Sequence, residues 1–363
     1  MLTGIPALEQ TDWAKLYHAY GSAADTPKHL RALLDEDAGG REAALDHLWS
    51  AVIHQGTPWT VTGPAACVIV GLLADERIDR GEMPLRAPLL QFLVSVAEAG
   101  EQTGRSIDEL ERMAVYNSDP VKTWDEAFEN DDDAACNAFY ARSILGCMEV
   151  APLLLETMER DLRSPDPRVR SYAAMGASTL AKASSLSNRA KDIEERLRNM
   201  AQTAEDTDER SALVLALGEL DASPSAFLRD PSPAVRMCAA LAPKLAEDAV
   251  ATEVLIKSLE KAGEIDTWFA ATPPQNQVSS TLRRSRASDR TREGIRATHQ
   301  WRRGSDPSDH PLLCRFRLGP APCRRLPRWT RSGRDSRTTA VSQSPRRKRG
   351  AMGPKVWKCR QVV

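Results

Sequence analysis

At 363 residues, with 42% hydrophobic and only 5% aromatic residues, the chain exceeds an ordinary single domain and is too Ala- and Leu-rich for a β-sandwich. Its formal net charge of −1 hides an asymmetry: residues 281–363 hold 23 Lys+Arg against 5 Asp+Glu, net +18, which leaves 26 against 45, net −19, for residues 1–280. A body that acidic repels a nucleic-acid backbone and favours basic partners. Met1–Gln10 has neither the basic nor the apolar part of a signal peptide, and the apolar run Ala65–Ala74 is too short to span a bilayer. The expectation is a cytoplasmic protein without a membrane partner.

In chain order, Thr11 or Asp12 is placed to cap a helix carrying Trp13, Leu16, Tyr17 and Tyr20 on one side, with Gly21 ending it. Thr26-Pro27 opens another through Leu30, Leu33 and Leu34. A turn at Asp35–Gly40 leads into the segment from Arg41 to Trp49, His54–Pro58 reads as a loop, and Pro64–Ala74 reads as an apolar helix. Pro84–Ala99 puts Leu85, Pro88, Leu89, Phe92 and Val96 on one stripe, and Ser106 with Glu109 forms a capping box. Asp119-Pro120 starts a helix with Trp124 and Phe128, which Asn130–Asp133 closes. Ala134–Leu145 and Met148–Leu162 follow as two separate helices.

The clearest pattern is Asp161–Ala183. Pro165 and Pro167 stop one helix, Asp166 accepts from the free N–H groups of the next, and Pro167 suits its first turn. Val169, Tyr172, Ala173, Gly176 and Leu180 share one face, small enough for close helix approach. The pattern returns around Arg210, 40 residues beyond Arg170, after a charged helix over Leu186–Met200. It returns again around Arg236, 26 residues further on, where the helix between (Pro224–Leu228) is stunted; Ala249–Lys261 pairs with it, and Thr267–Phe269 hints at another unit. A degenerate copy surrounds Arg41, with Gly39-Gly40 in place of the proline turn.

The motif Asp-Pro-x-Val-Arg-x-x-Ala-Ala resembles the HEAT-repeat signature, and over residues 1–270 the chain resembles uncharacterised bacterial HEAT-repeat proteins. The resemblance implies an all-α fold: a right-handed α-solenoid of antiparallel helix pairs of the HEAT/armadillo type. It implies a scaffold whose concave face binds another protein, with no catalytic activity and no cofactor. Asp166, Arg170, Arg210, Asp230 and Arg236 then serve as turn residues that join neighbouring repeats, and Asp161, Arg163 and Arg168 extend the same ladder of charges.

After residue 270 the periodicity stops, so residues 271–363 form a separate, Arg-, Pro- and Ser-rich region. As it stands this is a disordered polybasic arm that binds nucleic acid, closing its basic stretch on Pro345-Arg-Arg-Lys-Arg-Gly350. Trp301, Trp329, Trp357, Cys314, Cys323 and Cys359 are poor company for such an arm and favour a shifted reading frame near codon 270. A nucleic-acid partner is expected only if residues 281–363 belong to the working protein.

Little in the chain marks chemistry. Seven cysteines without a C-x-x-C pair read as small buried apolar residues in a reducing compartment. His47 and His54 are seven apart and would share a face if the helix ran that far, although hydrogen-bonded packing explains them better than a metal. Asn130–Asp133 lacks the ligand spacing of a calcium loop and reads as a cap. Trp49, His54, Gln55, Gly56, Thr57 and Trp59 form the candidate binding loop, with a simple turn at Gly56 as the plainer reading. The loop resembles an H-Q-G-T element of the same bacterial HEAT-repeat proteins, and the alternative enzymatic reading is a HEAT-like DNA glycosylase or bilin lyase. The acidic body argues against the first, and no residue marks the second. Serine-hydrolase, P-loop and dinucleotide motifs are missing.

Overall fold

Aspartate, proline and the apolar spacing between them set most helix boundaries. The computed structural model describes residues 1–81, 83–101, 105–115, 133–183, 185–271 and 273–274. Every described residue belongs to one compact unit. The expected helix with Trp124 and Phe128, the Asn130–Asp132 turn and the basic region after residue 274 lie outside the described residues.

The described part is all-α apart from two small hairpins. Its helices are α1 (Gly4–Gln10), α2 (Thr26–Ala32), α3 (Ala38–His47), α4 (Thr62–Leu72), α5 (Arg86–Glu101), α6 (Ile107–Ala114), α7 (Asp133–Asp161), α8 (Pro167–Leu180), α9 (Ala190–Thr203), α10 (Thr207–Glu219), α11 (Pro233–Ala240) and α12 (Ala249–Glu260). Strands β1 (Tyr17–His18) and β2 (Gly21–Ser22) pair antiparallel, as do β3 (Ile53–His54) and β4 (Thr57–Pro58).

Two helical expectations fail. Residues 12–20 do not form the expected helix: a 3₁₀ turn at Trp13–Lys15 leads into the β1–β2 hairpin. The apolar stripe is real, but the chain buries Trp13 through its indole N–H donating to the Leu8 carbonyl at 2.8 Å. In the second case, Ala134–Leu145 and Met148–Leu162 are one helix of 29 residues, not two. It carries Pro152 in its interior, where the ring removes one backbone donor. By length and composition alone, Ala134–Asp161 could cross a membrane. Half of its apolar window is buried, against α4, α5, α6 and α8.

Helices α5, α8, α10 and α11 pack side by side in succession. α7 lies against both α5 and α8, α9 against α8 and α10, and α12 against α11. One hydrophobic cluster runs through them all, from Ala7 to Ala251. Cys67, Cys147 and Cys238 are buried in this packing as small apolar residues, and Cys136 is half-buried.

A recurring arginine clasp holds the turns. The N-cap residues Asp37, Asp166, Asp206 and Ser232 each stand four positions before an arginine, Arg41, Arg170, Arg210 and Arg236. Each of the three aspartates accepts from a first-turn N–H, and at the fourth turn Asp230 accepts from Ser232 N–H instead. Every one of the four guanidiniums reaches back to the carbonyl six residues earlier: Asp35 at 2.6 Å, Ser164 at 2.8 Å, Ala204 at 2.9 Å and Asp230 at 2.7 Å. Those carbonyls lie where a preceding helix or helical turn has run out of donors.

Two clasps also reach sideways. Arg170 makes a two-pronged contact with the buried Glu209 at 2.5 and 2.6 Å, and Arg210 meets Asp230 at 3.2 Å. Arg41, itself buried, donates instead to the carbonyls of Arg77, Arg80 and Met83. Asp161 is likewise buried and receives Arg86 and Arg160, whereas Arg163 and Arg168 are exposed. The ladder of charges is therefore carried by the arginines at the fourth position past the cap, with Arg163 and Arg168 outside it.

Removing the half-buried Arg170 strands the buried Glu209 carboxylate. Arg170→Ala is expected to lower stability by about 3–5 kcal/mol, and Arg170→Met with Glu209→Leu by clearly less; urea denaturation of the two variants compares them. Separately, a Cβ at Gly63 of α4 would stand 2.6 Å from the Gly146 carbonyl oxygen of α7, and backbone cannot step aside as a side chain does. Gly63→Ala should therefore cost about 1–3 kcal/mol, read as a fall in melting temperature.

Candidate functional site

The six residues of the expected binding loop divide between three surroundings. Helix α3 ends at His47 and continues as one π turn over Leu48–Val52 before β3, so His47 and His54 do not share a helix face. β3 and β4 close on Gln55-Gly56, and both central residues have positive φ, 53° and 83°. That is the backbone of a type I′ hairpin turn, in which Asn-Gly is the favoured pair and glutamine is strained. The loop is thus a hairpin, with Gly56 supplying half of the bend.

Trp49, Gln55 and Gly56 come together at a small pocket of about 210 Å³, completed by Ile53 and, from α5, Ser95, Glu98 and Ala99. Phe92 fixes the Trp49 ring edge-on at 5.8 Å. The other loop residues go elsewhere. Thr57 pairs with His54 across the hairpin. Trp59 is buried in the core, where its backbone N–H donates to Thr62 Oγ1 at 2.8 Å. His54 turns away to donate from Nδ1 to the Ser50 carbonyl at 2.7 Å, and its ring meets Tyr20 at 5.7 Å.

Tyr20 opens a row of rings that no spacing announced. It meets His18 at 6.2 Å, His18 meets His47 at 5.5 Å, and His47 stacks on His29 at 4.1 Å with the planes 5° apart. The row is built from the β1–β2 hairpin, α2 and α3, which share no periodicity, so only the crowding of four histidines into the first 54 residues hinted at it.

His18, Asp25 and His47 place one potential metal-ligating atom each within 4.8 Å of one another. The hydrogen bonds already present assign those atoms differently. His18 Nδ1 accepts from Tyr20 N–H at 3.0 Å, so its proton sits on Nε2, which donates to Asp25 Oδ1 at 3.0 Å. A metal on that Nε2 would demand either an imidazolate or loss of the Tyr20 bond, the reverse of the usual arrangement in which the second ring nitrogen donates outward. His47 Nε2 shares a 3.0 Å hydrogen bond with Thr26 Oγ1, which is itself buried. The row fits hydrogen-bonded packing better than a metal centre.

The second pocket, about 380 Å³, lies between α7 and α9 and is lined by acids and arginines in nearly equal number, with Arg189 paired to Glu159 at 2.7 Å. No protein-family model, curated protein sequence or solved structure matches the chain.

Burial, with His29 and His18 close by, lowers the His47 pKa from 6.5 to about 4; Asp25 opposes the shift. The unfolded chain therefore takes up a proton between those values that the folded one refuses. Stability carried by neutral His47 is intact above pH 6.5 and is lost as the pH falls toward 4, by about 2 kcal/mol at pH 5. Melts of wild type and His47→Gln between pH 7.5 and 5 should show the slope flattened in the variant.

Proposed function

We propose that residues 1–270 form a right-handed α-solenoid of the HEAT type, a scaffold whose concave face binds a basic segment of another protein. The observation that supports this most is the fourfold clasp, in which an N-cap, an arginine four positions on and a carbonyl six positions back recur at Arg41, Arg170, Arg210 and Arg236. Recurrence of one hydrogen-bond geometry at one sequence register is what stacked repeats require, because each unit meets its neighbours through equivalent surfaces. The succession α5, α8, α10, α11 is consistent with one layer of such a stack and α7, α9, α12 with the other.

A repeat surface supplies area rather than chemistry, and binding another protein is the use that an extended surface serves. The charge of −19 over residues 1–280 selects basic partners and speeds their encounter. A catalytic reading has no comparable support among the described residues, where the histidine–carboxylate contact of His18 with the exposed Asp25 serves the local fold.

Affinity capture on the full chain tests the reading. A saturable protein partner is expected, released by raised salt and competed by polylysine but not by polyglutamate. Capture insensitive to both, or no saturable partner under several conditions, speaks against it.

A further inference from the structure

We infer that the groove between α7 and α9 binds a short peptide with both ends free, its carboxylate on Arg163 and Arg196 and its ammonium on Glu156 and Asp192. The site goes beyond the scaffold reading and needs no protein partner.

The charges along this groove are held apart where helix geometry would let them neutralise one another. Glu156 with Arg160 in α7, and Asp192 with Arg196 in α9, stand four residues apart with the acid first, the better order for a pair on one helix face. The same spacing is used elsewhere: Glu194 holds Arg198 at 2.7 Å in α9, and Glu253 holds Lys257 at 2.6 Å in α12. In the groove neither pair forms. Arg160 turns to Asp161 at 3.3 Å, and both Glu159 oxygens accept from Arg189 at 2.7 and 2.8 Å. The side chains of Glu156, Arg163, Asp192 and Arg196 are left without a hydrogen bond or ion pair among the described residues.

Arg163 and Arg196 face each other instead. Burial and the Arg163 charge hold the half-buried Arg196 guanidinium below its ordinary 12.5, and Glu159, already held by Arg189, opposes the shift only in part. A guanidinium stays charged even so, and the pair repels until an oxyanion accepts from both forks.

Two contacts order the groove from end to end. Glu159 meets Arg189 and Arg163 faces Arg196, so α7 and the stretch from Arg189 to Arg196 run the same way and the two free arginines share one end. Asp192 lies one turn before Arg196, about 6 Å, and Glu156 lies seven residues before Arg163, about 10 Å. An extended peptide advances about 3.5 Å per residue, so its terminal charges span that gap at two or three residues. A single amino acid is too short. A simple anion would sit near Glu156 and Asp192 unanswered, and a simple cation near the arginines. The cavity of about 380 Å³ falls within the roughly 300–1,000 Å³ of small-molecule sites. Ile193 is the one apolar residue in its lining, so the terminal charges rather than the side chains carry recognition.

The probes are Gly-Gly-Gly, its N-acetyl and C-amide forms, glycine and polylysine, titrated into the full chain at low salt. Binding is read from the Ile193 δ-methyl resonance, assigned by its loss in Ile193→Val. A saturable shift is expected with the free tripeptide, and blocking either end should weaken it about tenfold. Glycine should bind more weakly than the free tripeptide. Arg196→Gln should weaken the free tripeptide about tenfold and leave the amide nearly unchanged, because the lost partner is the carboxylate. Arg168→Gln, the same charge change on an exposed arginine outside the groove, should leave both within about twofold. Asp192→Asn should act at the other end, weakening the free tripeptide and sparing the N-acetyl form.

No saturable shift with the free tripeptide, or equal affinity for the free and blocked forms, would overturn the site. Equal losses in Arg196→Gln and Arg168→Gln would overturn it too, leaving only general charge. A shift with polylysine alone would give the groove to a basic protein segment and overturn the peptide site while favouring the scaffold reading. Protein capture that fails while the tripeptide still shifts Ile193 would overturn the scaffold reading alone.

Discussion

A helix that stops at a turn leaves its last carbonyls without intrahelical donors, and this chain answers that deficit with one device. An arginine in the first turn of the following helix folds back over the turn and donates to the carbonyl six residues behind it. The geometry fixes the exit of one helix and the entry of the next at once, so the angle between successive helices is not left to packing alone. Where the same guanidinium also holds Glu209 or Asp230, the turn is tied to the next capped turn along the chain. Burial of Glu209 makes that tie obligatory in one direction, because a desolvated carboxylate without its arginine is costly.

Much of this was legible in the residues. Asp166 before Pro167, Asp206 before Arg210 and Ser106 before Glu109 act locally, through side-chain oxygens within reach of the next few N–H groups, and such signals survive any tertiary context. What could not be read was decided by distant contacts. Residues 12–20 carry a helical apolar spacing yet form a turn and a hairpin, because burying Trp13 against Leu8 and pairing Tyr17 with Ser22 outweigh a short amphipathic helix. The break expected between Leu145 and Met148 does not occur, and α7 runs on through Pro152, its burial against four other helices offsetting one missing bond.

The candidate site follows the same division. Gly56 announced a bend, but the bend is shared with a strained Gln55 that no composition rule would place there. Trp49 was visible as part of the expected loop, while its pocket neighbours Ser95, Glu98 and Ala99 lie nearly fifty residues on, in α5. The histidine row is assembled from three elements whose side chains share no period. A sequence can flag such residues as unusual without saying that they touch.

The packing of α1 has a bearing on how the chain is made. From α8 onward each helix docks on a neighbour that has already been synthesised, so those units can settle in the order in which they leave the ribosome. α1 packs instead on α4, where Gly71 leaves no room for even a methyl group against Gly4. The first helix thus has to wait for residues some sixty positions later before it has a surface to rest on. Docking of α1 on α4 is therefore a long-range step, which cannot come before α4 is made, unlike the shorter-range packing from α8 onward.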